Sequence, residues 1–138
     1  MRILAIDYGE KRIGLAVSDP LGITAQPYAT LQKDGTELNK LLDIIKEKEV
    51  TKIIIGLPIN MNGTKGESAA RVESFVEFLK TKITLEIEFV DERLSTKEVT
   101  DRLIEFDMSR EKRRQNVDKL AATLILETYL NKNEIYRS

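Results

Sequence analysis

Apolar and polar positions alternate from the start of the chain, with Ile3, Ala5 and Asp7 set against Leu4, Ile6 and Tyr8. A period of two marks a strand, and this one carries a carboxylate near its end. Gly9-Glu10-Lys11 reads as a turn, and Ile13-Gly14-Leu15-Ala16-Val17 as a second strand returning beside the first. Asp19-Pro20-Leu21-Gly22 puts Pro and Gly at turn positions. A shorter third strand over 23–28 completes an antiparallel meander, and Pro27 marks it as a sheet edge.

The period changes at Thr36. Leu38, Leu41, Leu42 and Ile45 recur at helical spacing, which predicts an amphipathic helix over 36–49. Lys52-Ile53-Ile54-Ile55-Gly56-Leu57 is a continuous apolar run, the pattern of a parallel strand covered on both faces. After a loop over 58–66, Ala69, Val72, Phe75, Val76 and Leu79 line one side of a second helix. Leu85, Ile87 and Phe89 alternate with Glu86 and Glu88 in a half-exposed fifth strand. Ser95-x-x-Glu98 is a capping box opening a third helix, and a last helix begins near Ser109 or Glu111 and ends near Leu130. The order β-β-β-α-β-α-β-α-α predicts an α/β fold. It has one mixed five-stranded sheet flanked by helices, with the crossover-linked strands parallel.

Composition narrows the chemistry. The 138 residues suit a single domain spanning 1–138. Cysteine and histidine are both absent, which excludes disulfides, thiolate zinc sites, a cysteine nucleophile and the usual general base. Hydrolysis here must therefore use carboxylates, lysine or metal-bound water. With 22 Lys and Arg against 23 Asp and Glu, no global field announces a nucleic-acid partner, so local clusters must carry that argument. Apolar runs fall far short of the roughly 20 residues of a membrane span, and Asp7 comes too early for a secretory signal. A soluble, cytoplasmic protein without membrane contacts is expected.

Four acids on three elements stand out. Asp7 ends an apolar strand, where a carboxylate is costly unless hydrogen-bonded, paired or bound to a cation; its plainer role is that of a hairpin-turn residue. Asp91 and Glu92 follow the fifth strand, whose carboxyl end is where ligands gather in sheets with parallel strands. They also suit the N-terminus of a following helix. Asp118 begins a helical stripe with Ala122, Ile125 and Tyr129, so an acid heads an apolar face; a pairing with Arg114 would equally satisfy it. If the three elements converge, their oxygens suit Mg²⁺ or Mn²⁺. Such ions activate water and stabilise a leaving oxygen, work otherwise given to histidine.

The basic run Arg110-Glu111-Lys112-Arg113-Arg114 lies just ahead of Asp118, and Arg93 follows Glu92. Guanidinium forks fit phosphates, although a solvated helix face would look the same. The loop Gly56 through Gly66 offers amides and Lys65 to a phosphate without P-loop spacing, and a plain strand-to-helix turn accounts for it equally well.

Together these segments resemble the YqgF/RuvX family, described as Holliday-junction-resolvase-like proteins and as nucleases of pre-16S rRNA. The resemblance rests on Ile6-Asp7-Tyr8-Gly9 with Arg12-Ile13-Gly14-Leu15-Ala16-Val17-Ser18-Asp19, and on Gly56-Leu57-Pro58 with Gly63-Thr64. Asp91-Glu92-Arg93-Leu94-Ser95-Thr96 and Val117-Asp118-Lys119-x-Ala121-Ala122 complete it. It implies an RNase H-like fold with strand order 3-2-1-4-5 and a metal-dependent nuclease with catalytic Asp7, Glu92 and Asp118. Asp91 joins these three as a metal ligand. Arg12, Lys65, Arg93, Arg110, Lys112, Arg113 and Arg114 become the nucleic-acid contacts, and the protein a monomer or homodimer. The implied role is 5′-end maturation of pre-16S rRNA, with junction cleavage in recombination as the alternative. The chain departs from the family where Asn62 stands in a loop that often reads Met-Asp-Gly. It departs again at Pro58-Ile59-Asn60, where better characterised resolvases carry an acid; Glu92 is then the substitute.

Two other classes compete. Asp-x-Gly after a first strand also opens actin-like phosphotransferases, which need a second lobe that 138 residues do not supply. A non-catalytic nucleic-acid-binding module would keep the fold and the basic helix while its acids merely pair with arginines.

Overall fold

A computed structural model describes residues 2–58, 62–91 and 119–131. Their order is β1 (Arg2–Tyr8), β2 (Arg12–Ser18), β3 (Ala25–Gln32), α1 (Glu37–Glu47), β4 (Val50–Leu57), α2 (Glu67–Lys80) and β5 (Glu86–Asp91), with a further helix, α3, over 119–131. The strands form one sheet in the order β3-β2-β1-β4-β5. β1, β2 and β3 are an antiparallel meander, while β4 and β5 run parallel to β1. The expected architecture is therefore present. Nothing beyond residue 91 is described until α3, so the helix expected at Ser95 and the start of the last helix lie outside the described residues.

The third strand begins later and runs longer than its apolar pattern suggests. Register shifts between Leu15 and Ala16, which pair with Ala29 and Pro27, leaving Tyr28 as the extra residue of a bulge. Proline cannot donate to the ladder, so the irregularity and the edge position have one cause. Before it, Asp19 shapes the turn: its Oδ1 accepts the Ile23 amide at 2.6 Å and the Thr24 amide at 2.9 Å. Those bonds, Thr24's foremost, favour the charged form and hold the Asp19 carboxyl below its ordinary value of 3.8. A depressed folded-state value means the turn's stabilisation is complete above the unfolded value and fades as pH falls through the folded one. A carboxyl NMR titration is expected to give Asp19 a midpoint below 3.8. A midpoint at or above that value contradicts the cap.

Strand alternation divides the core in two. Leu4, Ile6, Ile13, Leu15, Ile53 and Ile55 face α1 and α2, meeting Leu41, Ile45, Val72, Val76 and Leu79. Ala5, Ala16 and Ile54 face the other way and meet Ala122, Ile125, Leu126 and Leu130 of α3. β4 is thus apolar on both faces, as its unbroken run requires. α1 stops at Glu47, and Glu49 takes a left-handed backbone (φ 53°), a common way to leave a helix. Among the described residues, no helix is long and apolar enough to cross a membrane.

Candidate active site

The parallel strands β1, β4 and β5 end at one rim of the sheet, and Asp7 is the penultimate residue of β1. Alternation turns Leu4, Ile6 and Tyr8 toward α1 and α2, and Ala5 toward α3; Asp7 therefore lies on the α3 face. Across the antiparallel ladder its partner is Gly14. On β4 the position one step beyond the Ile6–Ile55 pair is Gly56, which in turn pairs with Val90. Gly14, Asp7, Gly56 and Val90 form one row over four strands, and Asp7 is its only polar side chain. Both glycines are buried and Asp7 is half-buried. Glycine within a strand marks close backbone approach, so these two positions keep the flanks of the carboxylate clear of side chains. Neither glycine stood out in the pattern of the strands, though each interrupts an apolar run.

Arg12 opens β2 two residues before Gly14, on the same face as Asp7. Asp91 ends β5 opposite Leu57; one residue past Val90, it shares the rim with Asp7 but turns to the α1/α2 face. Asp7, Arg12 and Asp91 are each already engaged in a polar or charged contact. Lys65 precedes α2, half exposed, with its Nζ 3.7 Å from Glu73 Oε1. Asn62 has a local role: its Oδ1 accepts the Thr64 amide at 3.0 Å and the Thr64 hydroxyl at 2.6 Å, while Gly63 takes φ 86°. An Asx turn of this kind stabilises the loop without any ion. Asn60, Glu92, Arg93, Arg110, Lys112, Arg113, Arg114 and Asp118 lie outside the described residues. Among the described residues, no group of three His, Cys, Asp or Glu could hold a metal ion.

Opposite the rim, near the start of β4, Lys52 fastens α3 to the sheet. Its ammonium donates to Tyr129 Oη at 2.6 Å and lies 3.0 Å from Glu88 Oε2, with Glu86 at 3.7 Å. Partial burial alone would lower the lysine, but the phenol oxygen and the Glu88 carboxylate outweigh it and hold the ammonium above its usual range.

A family model described as "RuvX: Holliday junction resolvase" matches residues 1–132. The chain belongs to the RuvX family. It is 45% identical over 133 residues to a Syntrophomonas wolfei protein named "Putative pre-16S rRNA nuclease", covering 95% of this chain and 94% of that one. A Clostridioides difficile protein of the same name is 47% identical over 132 residues, 94% of each chain. Among solved structures the chain is similar to Thermus thermophilus RuvC in complex with a Holliday junction substrate (TM-score 0.59, 13% identity, 96% of each chain). It is also similar to fowlpox virus resolvase with Holliday junction DNA (TM-score 0.56, 14% identity, 96% of this chain and 98% of that one). At such identities the likeness establishes the fold, which is RNase H-like.

Proposed function

We propose that this chain is a metal-dependent nuclease that hydrolyses phosphodiester bonds of precursor 16S rRNA in the cytoplasm, with Asp7 at the centre of its active site. The observation that carries this reading is the row Gly14–Asp7–Gly56–Val90: one carboxylate, with glycine beside it on each neighbouring strand, at the carboxyl ends of parallel strands. The relatives named for pre-16S rRNA supply the substrate class. Asp7 shares the ion with Glu92 and Asp118 in this proposal. Asp91, which turns to the opposite face, is the weaker candidate of the acidic pair. The late end of α3 is held at Lys52, and residue 119 at its early end directly follows Asp118 in the sequence. That connectivity supports a helix leading back toward the Asp7 rim.

The donor chemistry fits the ion. In a chain without histidine or cysteine the acids offer hard oxygen ligands, a donor set that suits Mg²⁺ or Mn²⁺. When bound, such an ion lowers the pKa of water and neutralises charge on the leaving oxygen. Asp7 contributes a fixed anionic anchor in a region sheltered by buried strands. Arg12 lies on the same face as Asp7, where a guanidinium fork suits a substrate phosphate. Removal of the metal by EDTA is expected to abolish cutting of a labelled pre-16S rRNA fragment, and Mg²⁺ or Mn²⁺ to restore it. A four-way DNA junction is run in parallel. Cutting confined to the junction transfers the reading to a resolvase, and cutting that survives EDTA removes the metal from it.

A further inference from the structure

Tyr8 follows Asp7 in the same strand and so turns to the opposite face of the same rim. Its ring stacks on Phe75 of α2 with centroids 4.3 Å apart and planes 17° from parallel. Lys33 Nζ lies 4.1 Å from the Tyr8 centroid and 3.3 Å from the Gly9 carbonyl oxygen, which accepts its hydrogen bond. Beside this stack opens a cavity of about 450 Å³ lined by Tyr8, Ala70, Arg71, Ser74, Phe75 and Phe78, within the size range of small-ligand sites.

The cavity is not a spare part of the core. The core side of α2 is Ala69, Val72, Val76 and Leu79. Arg71, Ser74 and Phe78 follow one another at helical spacing on the exposed side, where Phe78 keeps 50% of its surface in solvent. An exposed phenylalanine and a packed one flanking an arginine, with Lys82 Nζ 5.7 Å from the Phe78 ring, combine π-faces with positive charge. That pairing suits a planar aromatic group attached to an anion. In duplex nucleic acid the π-faces of the bases are hidden by their neighbours, whereas an unpaired nucleotide offers both face and phosphate.

We propose that this cavity is a stacking subsite for an unpaired base of a single strand that crosses the rim past Asp7, with Phe78 and Phe75 taking the base and Arg71 a phosphate. The inference rests on the nuclease reading for the identity of the polymer, and it adds that the strand is open beside the cleavage point.

The test is binding, measured by fluorescence anisotropy in the Asp7→Asn background, where nothing is cut. The probes are a short labelled single-stranded RNA, the single-stranded DNA of the same sequence, and each with one abasic position moved along it. Stacking on one base is worth about 1–3 kcal/mol. Phe78→Ala is therefore expected to weaken binding about five- to hundred-fold, with Phe78→Tyr near the parent and thermal stability unchanged. Arg71→Ala is expected to weaken binding and reduce its salt dependence. At one abasic position the Phe78→Ala effect should vanish, because the base it removes is the one stacked. The subsite is overturned if the parent binds neither single strand, or if Phe78→Ala binds as the parent does. A substitution effect that is the same on every abasic probe, or a change in sedimentation in place of affinity, also overturns it. Cleavage by the same variants carrying native Asp7 separates the two readings. Metal-dependent cutting indifferent to Phe78 and Arg71 sinks the subsite alone, while Phe78-dependent binding with no cutting sinks the catalytic assignment alone.

Discussion

Asp7→Asn is expected to lower metal-dependent cleavage by on the order of 10³-fold or more, equivalent to about 4 kcal/mol of transition-state stabilisation. Asparagine keeps the shape of the side chain and one carbonyl oxygen but removes the charge that balances a divalent ion. Because Gly14 and Gly56 flank the position, no neighbouring side chain in the row can substitute for the lost carboxylate. Stability responds differently. In metal-free buffer the variant should melt within a few degrees of the parent, since losing part of the contact that Asp7 already makes is offset by relief of repulsion between neighbouring acids when no cation separates them. Asp118→Asn should behave the same way. Adding Mg²⁺ should raise the parent's Tm, as any ligand selective for the folded state does; saturation 100-fold above Kd adds about 2.7 kcal/mol. The variant should lose that response. Equal cleavage by parent and variant points to a contaminating nuclease and ends the assignment.

The sheet was readable in the sequence because its signals are local and periodic. Alternation over residues 2–8, the apolar run of β4 and the crossover rule together determine which strands are parallel, and so which ends share a rim. Pro27 gave the edge but not the bulge at Tyr28, because register depends on the partner strand. Helix α1 ended two residues early, since Lys48 and Glu49 depart from helical geometry in ways no apolar period records. For the site, the parity that separates Asp7 from Asp91 is arithmetic once strand ends are known, but one residue of uncertainty in a strand boundary erases it. The aromatic cavity was less accessible still. Phe75 looked like an ordinary core position at helical spacing, and its stack on Tyr8 joins residues far apart in the chain. Lys33, just past β3, carried no signal at all.

Ile54→Ala is the substitution expected to cost most in stability, about 4 kcal/mol by comparison with other fully buried large-to-small changes. Ile54 is 0% exposed, in a strand with neighbours on both sides, and belongs to the smaller of the two apolar clusters. Its companions on the sheet are Ala5 and Ala16, and Ala122 faces them from α3. Alanines have no longer rotamer with which to fill a void, so the collapse falls to the larger side chains of α3, Ile125, Leu126 and Leu130, and much of the cavity would persist. Against a typical total stability of roughly 5–15 kcal/mol, the loss should appear as a fall in the urea midpoint with the slope unchanged. A loss under about 1 kcal/mol would mean that α3 closes over the gap and that this face is loosely packed. The functional consequence follows from what the cluster holds. α3 is fastened to the sheet at one end by Lys52 and Tyr129 and along its length by Ile54 and the alanines, and residue 119 continues directly from Asp118. Weakening that contact should therefore reduce cleavage even at temperatures where the variant remains folded. Ile53→Ala, which opens a cavity on the α1/α2 face instead, should reduce stability comparably and spare the activity of the folded fraction.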